Sequence, residues 1–340
     1  MSEQEAVQRP YRNLGSAGVK VSRICLGSMM FGKWGNPDLA DCIRIIHRAL
    51  DNGVNFIDTA NGYSEGESEE IVGRAIRDRR ERVVLATKVF APMGDDPNER
   101  GLSRKAIEQQ VEHSLRRLQT DVIDLYQIHR PDPSVPWEET LSTLSDLVRQ
   151  GKVRYIGCST NHYDGEGLWA KLLPAWEIVE TLAISERRGW ERFASLQPPY
   201  SILRRAMERE HFPMTRHFGI ANIVWSPLEG GWLSGKYRRG KVNPDDSVRS
   251  RSRIGDLDNP KFASRLDAVE RLIPLAEESG VSLARLATAW VMRNPDVTSV
   301  IIGPRTEEQL LDSLAAREMT LEDDQMAAID AIVPPGTTVL

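Results

Sequence analysis

Apolar and polar positions follow two rhythms along the chain. Short runs rich in Val, Ile and Leu recur at 21–26, 54–58, 83–88, 122–129, 153–158, 193–197, 220–226 and 299–303. They are too short for helices and read as strands buried on both faces. Between them, apolar residues return every three or four positions, the period of a helix with one buried face. Asn36 and Pro37 predict an N-cap and first helical residue ahead of Ile43, Ile46 and Leu50, and Gly53 falls where a helix ends on glycine. Ser103 opens a second helix through Val111, Leu115 and Leu118. Residues 137–150 repeat the pattern before Gly151, and Ser282 opens another through Leu286 and Trp290 to Asn294 and Pro295.

Strand and helix thus alternate, and right-handed crossovers leave two main architectures, the closed barrel and the open doubly wound sheet. Eight units favour closure, so the expectation is one (β/α)8 TIM barrel spanning residues 1–340 as a single domain. The turn after the first run, Leu26-Gly27-Ser28-Met29-Met30, lacks the glycine fingerprint of the open alternative. Gly165-Glu166-Gly167-Leu168-Trp169-Ala170 satisfies GxGxxA in form, yet it lies well beyond its strand and deep in the chain. Residues 161–192, with Trp169, Trp176 and Trp190, and residues 230–260 are too long for simple connections. The first reads as an enlarged βα segment with a lengthened helix and the second as a Gly-, Pro- and Arg-rich loop, and since both follow strands they emerge at the C-terminal face, where a barrel builds its site.

Composition narrows the class. With 40% hydrophobic and 27% charged residues in 340, a large core can form. A net charge of −5 gives no basic face for nucleic acid or an acidic membrane. A local basic stretch does occur at Arg238, Arg239, Lys241, Arg249, Arg251 and Arg253. Cys25, Cys42 and Cys158 are odd in number and far apart, which argues against disulfides or a zinc site and for a reducing cytoplasm. The six histidines show no HxH or HExxH spacing, so a metal-dependent hydrolase finds no support. Residues 1–10 form a polar, flexible N-terminus without a signal-peptide run, and no segment approaches the ~20 apolar residues of a membrane span.

The candidate chemistry sits at strand ends. Asp58, Lys88 and His129 each close an apolar run, which sets all three at a barrel mouth, and Tyr63 follows Asp58 in the same turn. A phenol with a pKa of about 10 is a poor acid at neutral pH, and a neighbouring ammonium lowers that value. Lys88 would do this, Asp58 would keep Lys88 charged and oriented, and His129 would place a substrate oxygen. The set suits delivery of a proton to a developing alkoxide.

The motifs Gly53-Val-Asn-Phe-Ile-Asp58-Thr-Ala-Asn-Gly-Tyr63, Thr87-Lys88, Asp124-Leu-Tyr-Gln-Ile-His129, Gly151-Lys-Val-Arg-Tyr-Ile-Gly157, Trp225-Ser-Pro-Leu228 and Gly235-Lys236-Tyr237 resemble the aldo-keto reductase superfamily over nearly the whole chain. The resemblance implies a (β/α)8 barrel that reduces a small aldehyde or ketone with NADP(H) or NAD(H) and no metal. Its Asp, Tyr, Lys and His tetrad falls on Asp58, Tyr63, Lys88 and His129. It also implies a nicotinamide site at Met29, Ser159, Gln197 and Trp225, a pyrophosphate lining at Ser226, Pro227, Leu228, Gly230 and Lys236, and an adenosine end at Gly303, Arg305, Gln309 and Asp312. Thr306 and Gln309 equally form a capping-box pattern, in which Gln309 serves a helix end.

Two departures stand out. The family's Ser-Asn pair is Ser159-Thr160 here, and its Glu-Asn pair is Asp312-Ser313. Arg305, with the arginines at 249–253, favours NADP through bidentate contacts to a 2′-phosphate. The resemblance extends to the β-subunits of potassium channels, which gives an alternative, a cofactor-binding regulatory subunit. The retained His129 favours an enzyme.

Overall fold

The computed structural model describes residues 10–162, 171–239, 257 and 259–339. The expectations for residues 1–9, for the GxGxxA run with Trp169, and for Lys241 and the arginines at 249–253 therefore lie outside the described residues. The chain enters through an antiparallel hairpin, β1 (Tyr11–Asn13) and β2 (Lys20–Ser22). Arg23 then separates β2 from β3 (Ile24–Gly27), so the apolar run at 21–26 is two strands with different jobs. Next come β4 (Phe56–Asp58), β5 (Val84–Val89), β6 (Ile123–Ile128) and β7 (Val153–Ser159). The pair β8 (Asn161–His162) and β9 (Lys171–Leu172) stands outside the main sheet, and β10 (Ser195–Gln197), β11 (Ala221–Val224) and β12 (Val297–Ile302) complete it. Strands β3 to β7 and β10 to β12 pair in parallel and close on themselves, the (β/α)8 TIM barrel expected from the alternation.

Around the barrel run α1 (Leu39–Asp51), α2 (Glu67–Ile76), α3 (Arg104–Leu118), α4 (Trp137–Arg149), α5 (Ala175–Arg188), α6 (His211–Phe218), α7 (Ala263–Glu278), α8 (Leu283–Arg293), α9 (Glu307–Ala315) and α10 (Asp323–Ile332). Ser103, Ser282 and Thr306 cap α3, α8 and α9 through their hydroxyls. The cap of α1 is Asp38 rather than Asn36. Pro37 keeps its predecessor out of the helical region, and Asn36 instead donates to Asp41 Oδ2 at 2.6 Å and to the Arg305 carbonyl at 3.0 Å. Gly53 takes φ +80° just past the end of α1, as a terminating glycine should. Among the described residues no helix is long and apolar enough to cross a membrane.

The two-residue period of the strands sorts side chains between two cores. Ile57, Leu85, Tyr126, Cys158 and Leu196 face outward into the cluster shared with the helices. Cys25, Phe56, Val84, Ala86, Leu125, Ala221 and Ile223 face inward and fill the barrel, with Leu14 and Val21 of the hairpin as its plug. Carrying the inward register one or two steps further up each strand reaches Asp58, Lys88, Gln127 and His129, then Gly157 and Ser159, then Ser195 and Gln197. Lys88 pairs with Gln127, Gln127 with Gly157 and Gly157 with Ser195, so these four follow one another along a single register row.

The opposite end is closed by cations. Arg23 is only 2% exposed and its Nη2 donates to the Met292 carbonyl at the end of α8. Beside it, Arg12 Nη1 donates to the carbonyls of Pro295 at 2.6 Å and Val297 at 2.9 Å. Arg23 thus meets a carbonyl of the last turn of α8, and Arg12 meets those of the segment that follows it.

Candidate active site

Lys88 is fully buried and all three of its ammonium hydrogens are used. It pairs with Asp58 Oδ1, donates to the Thr59 carbonyl at 2.9 Å and donates to the Tyr63 hydroxyl oxygen at 3.1 Å. Because the ammonium occupies a lone pair of that oxygen, the phenol's own O–H stays a donor. Burial pulls the Lys88 pKa down, but Asp58 and Tyr63 outweigh it and the ammonium is held above its ordinary range. It stays charged at neutral pH.

Tyr63 owes its place to a strained turn. Ser64 and Glu65 take left-handed φ angles of +49° and +58°, and Gly66 follows at +98°. Ser64 holds the turn by donating its hydroxyl to the Phe31 carbonyl at 3.1 Å and accepting from the Trp34 N–H at 3.3 Å. Gly62 lets it lie against residue 91, since a Cβ there would stand 2.4 Å from Ala91 Cβ. Behind the turn, Ser68 of α2 donates to the Ser28 carbonyl at 2.8 Å, and buried Glu69 accepts from Thr87 Oγ1 at 2.5 Å and from Arg117 Nε at 2.7 Å. Thr87 faces outward next to inward Lys88, so one strand is gripped on both sides.

His129 is half-buried, its ring 5.6 Å from that of Tyr63 and nearly perpendicular to it. Burial, with Lys88 and Arg130 adding repulsion, holds its pKa well below the ordinary histidine value, so the ring is neutral and one nitrogen keeps a hydrogen to donate. Trp34, 49% exposed, stands 6.3 Å from the Tyr63 ring across the same opening. The three residues expected from the strand ends, and Tyr63 from the turn after Asp58, are thus brought together at the C-terminal rim.

The residues expected to hold a cofactor divide into two groups. Ser159, Gln197 and Trp225 converge: Ser159 Oγ and Trp225 Nε1 both donate to the Gln197 carbonyl, at 3.0 and 3.1 Å. Gln197 Nε2 reaches Asp58 Oδ2 at 2.9 Å. Met29 is half-buried on the loop after β3. Thr160, standing where the family places Asn, is buried and its hydroxyl has no partner among the described residues, which leaves a polar group for a ligand amide. Ser226, at φ +62°, opens the next segment with Pro227, Leu228 and Gly230, and a Cβ on Gly230 or Gly303 would meet open space. These features fit a nicotinamide dinucleotide laid across the rim. Lys236 is less committed to that lining, its ammonium resting 4.8 Å from the Tyr237 ring centroid.

The adenosine end is different. Gln309 Oε1 accepts from the Arg305 N–H at 2.9 Å and its own N–H bonds Thr306 Oγ1 at 3.2 Å. Asp312 is engaged by Arg285 at 2.7 Å and Ser282 at 2.6 Å. Both side chains hold the start of α9 and its contact with α8. Sequence reasoning missed Glu69, Arg117 and Gln127. A charged residue inside a helix and a polar one inside a strand gave no sign of partners far along the chain.

The family model described as "Aldo/keto reductase family" matches residues 23–334. An "Uncharacterized oxidoreductase YrpG" of Bacillus subtilis is 39% identical, covering 96% of this chain and 97% of its own. A "Probable voltage-gated potassium channel subunit beta" of Oryza sativa subsp. japonica is 36% identical over 95% of this chain and 96% of its own. An "Aldo-keto reductase YhdN" of Bacillus subtilis is 34% identical over 95% and 93%.

Proposed function

The chain belongs to the aldo/keto reductase family, and from that premise we propose that it reduces an aldehyde or ketone to an alcohol at the expense of NADPH or NADH, with Tyr63 as the proton donor. The observation that carries the reading is a single ammonium, Lys88, buried between the Asp58 carboxylate and the Tyr63 hydroxyl at the barrel rim. When bound, the nicotinamide supplies hydride to the carbonyl carbon. His129, neutral, donates to the carbonyl oxygen and sets it beside Tyr63. Tyr63 gives its proton to that oxygen, and Lys88 stabilises the phenolate left behind. Asp58 keeps Lys88 charged and in place.

Ser159, Thr160 and Gln197 would hold the nicotinamide amide, with Trp225 against the ring and Met29 at its side. Ser226, Pro227, Leu228, Gly230 and Lys236 would follow the pyrophosphate. Gly303 would let the adenosine end pass, Arg305 would take a 2′-phosphate and so favour NADP(H), and Gln309 and Asp312 would act there through the helix end they hold. Three buried free thiols fit a reducing compartment such as the cytoplasm.

The rice relative's name supports a second reading, a cofactor-binding subunit of a larger assembly. Oxidation of NADPH, and in parallel NADH, against a panel of small aldehydes and ketones separates the two. Steady turnover is the expected result. Tight cofactor binding without turnover on any of them would sink the reductase reading.

A further inference from the structure

A carboxylate only accepts hydrogen bonds, so every partner of Asp58 must be a donor. Lys88 takes Oδ1, while Oδ2 accepts from Gln127 Nε2 at 3.0 Å and from Gln197 Nε2 at 2.9 Å. Both carboxamides are therefore turned with their NH2 groups toward Asp58, an orientation the chemistry dictates. The second hydrogen of Gln197 Nε2 goes to Gln127 Oε1 at 3.2 Å. Gln197 Oε1 is left outside this set of bonds as an acceptor. Gln127 reaches across the barrel because its neighbour is Gly157, where a Cβ would stand 2.5 Å from Ser195 Oγ and 3.0 Å from Gln127 Cγ.

We propose that Gln127 is a positioning residue, which fixes the Gln197 carboxamide with its oxygen presented to the nicotinamide amide and, through Asp58, ties cofactor capture to the Lys88 and Tyr63 pair. The proposal rests on the NAD(P)H reading given above. Without Gln127, Asp58 still accepts one hydrogen of Gln197 Nε2, but the second hydrogen loses its acceptor, which leaves a buried donor unpaired and the carboxamide held by one bond instead of two. The groups that face this network are Asp58 from β4, Lys88 from β5, Cys25 from β3, and Tyr63 and His129 at the rim.

Two variants test it, read by the Kd for NADPH from fluorescence quenching across pH and by the KM for cofactor. Gln127→Met keeps the volume and removes the bonds. Its Kd and cofactor KM should rise about tenfold, the effect of one buried bond between a neutral amide and its partners. Gln127→Glu supplies a donor only while protonated. At acid pH its Kd should lie within about twofold of wild type, and affinity should fall in a step, absent from wild type, as the carboxyl ionises against Asp58. A merely space-filling role would move neither. A folded Gln127→Met with wild-type Kd and KM overturns the proposal, and so does a Gln127→Glu whose Kd follows wild type at every pH. If Gln127→Met does not fold, the pH step in Gln127→Glu decides alone. Wild-type protein that binds neither NADPH nor NADH overturns the cofactor reading and this proposal with it; wild-type binding with unaltered variants overturns this proposal alone.

Discussion

Lys88 and Arg23 are buried cations at opposite ends of the barrel, and the two are treated in opposite ways. Lys88, at the C-terminal rim, meets a carboxylate, a carbonyl and a phenol, and its pKa is raised. Arg23, at the other end, donates to the Met292 carbonyl, leaves Nε and Nη1 without partners, and among the described residues pairs with no carboxylate. Burial, with Arg12 adding repulsion, pulls its pKa down to about 9. A buried charge with full compensation is kept charged against the hydroxyl it serves. One with only helix-end carbonyls serves as a stopper, and the fold bears its desolvation.

The contrast breaks first at the phenol. Tyr63→Phe should lower turnover by about a thousandfold, within the range of a lost general acid, and leave cofactor Kd unchanged, as single-turnover and binding measurements would show. Near-normal turnover would remove Tyr63 from the mechanism. Lys88→Met and Arg23→Met then set the two ends against each other. The first should abolish most turnover and lower stability by about 3 kcal/mol, because Asp58 is left buried and unpaired. The second should keep wild-type kinetics and, in denaturant melts at neutral pH, unfold no more easily than wild type.

Alkaline titration sharpens the same point. Burial lowers the Arg23 pKa to about 9 in the folded chain, well below its value when unfolded, so the unfolded chain holds more protons from about pH 9 upward. Stability therefore rises with pH across that window, and any deficit of wild type against Arg23→Met should shrink as pH passes about 9. Lys88 has the opposite sign: its stabilisation is complete below 10.5 and is lost above it. Parallel stability curves for wild type and Arg23→Met would contradict the first. The smallest effect belongs to the adenosine end, where Thr306→Ala should weaken the fold by about 1 kcal/mol through loss of a cap, visible as a modest drop in Tm.

The sequence made the sheet and three residues of the rim readable for the same reason. A strand's period of two carries each apolar run to a predictable last inward residue, and Asp58, Lys88 and His129 are those residues. Legibility failed where a group acts through a partner distant in the chain. Gln127 looks like one polar residue among Leu125, Tyr126 and Ile128, and only closure of the barrel brings it to Asp58 and Gln197. Glu69 looks like one acid among several in α2, and only helix packing gives it Thr87 and Arg117. The hairpin at residues 11–22 and the shift of the α1 cap from Asn36 to Asp38 turned on Arg23 and Pro37, single residues that interrupt a pattern.

The turn at residues 63–66 leans on the neighbouring loop mainly through Ser64, Glu67 and the surface pair Lys33 with Glu65. Its firmer moorings, Ser68 and Glu69, lie behind it at the strand ends. The loop carrying Trp34 and the turn carrying Tyr63 are thus one unit, and any sequence grafted into that loop must keep the backbone groups of Phe31 and Trp34 where Ser64 finds them.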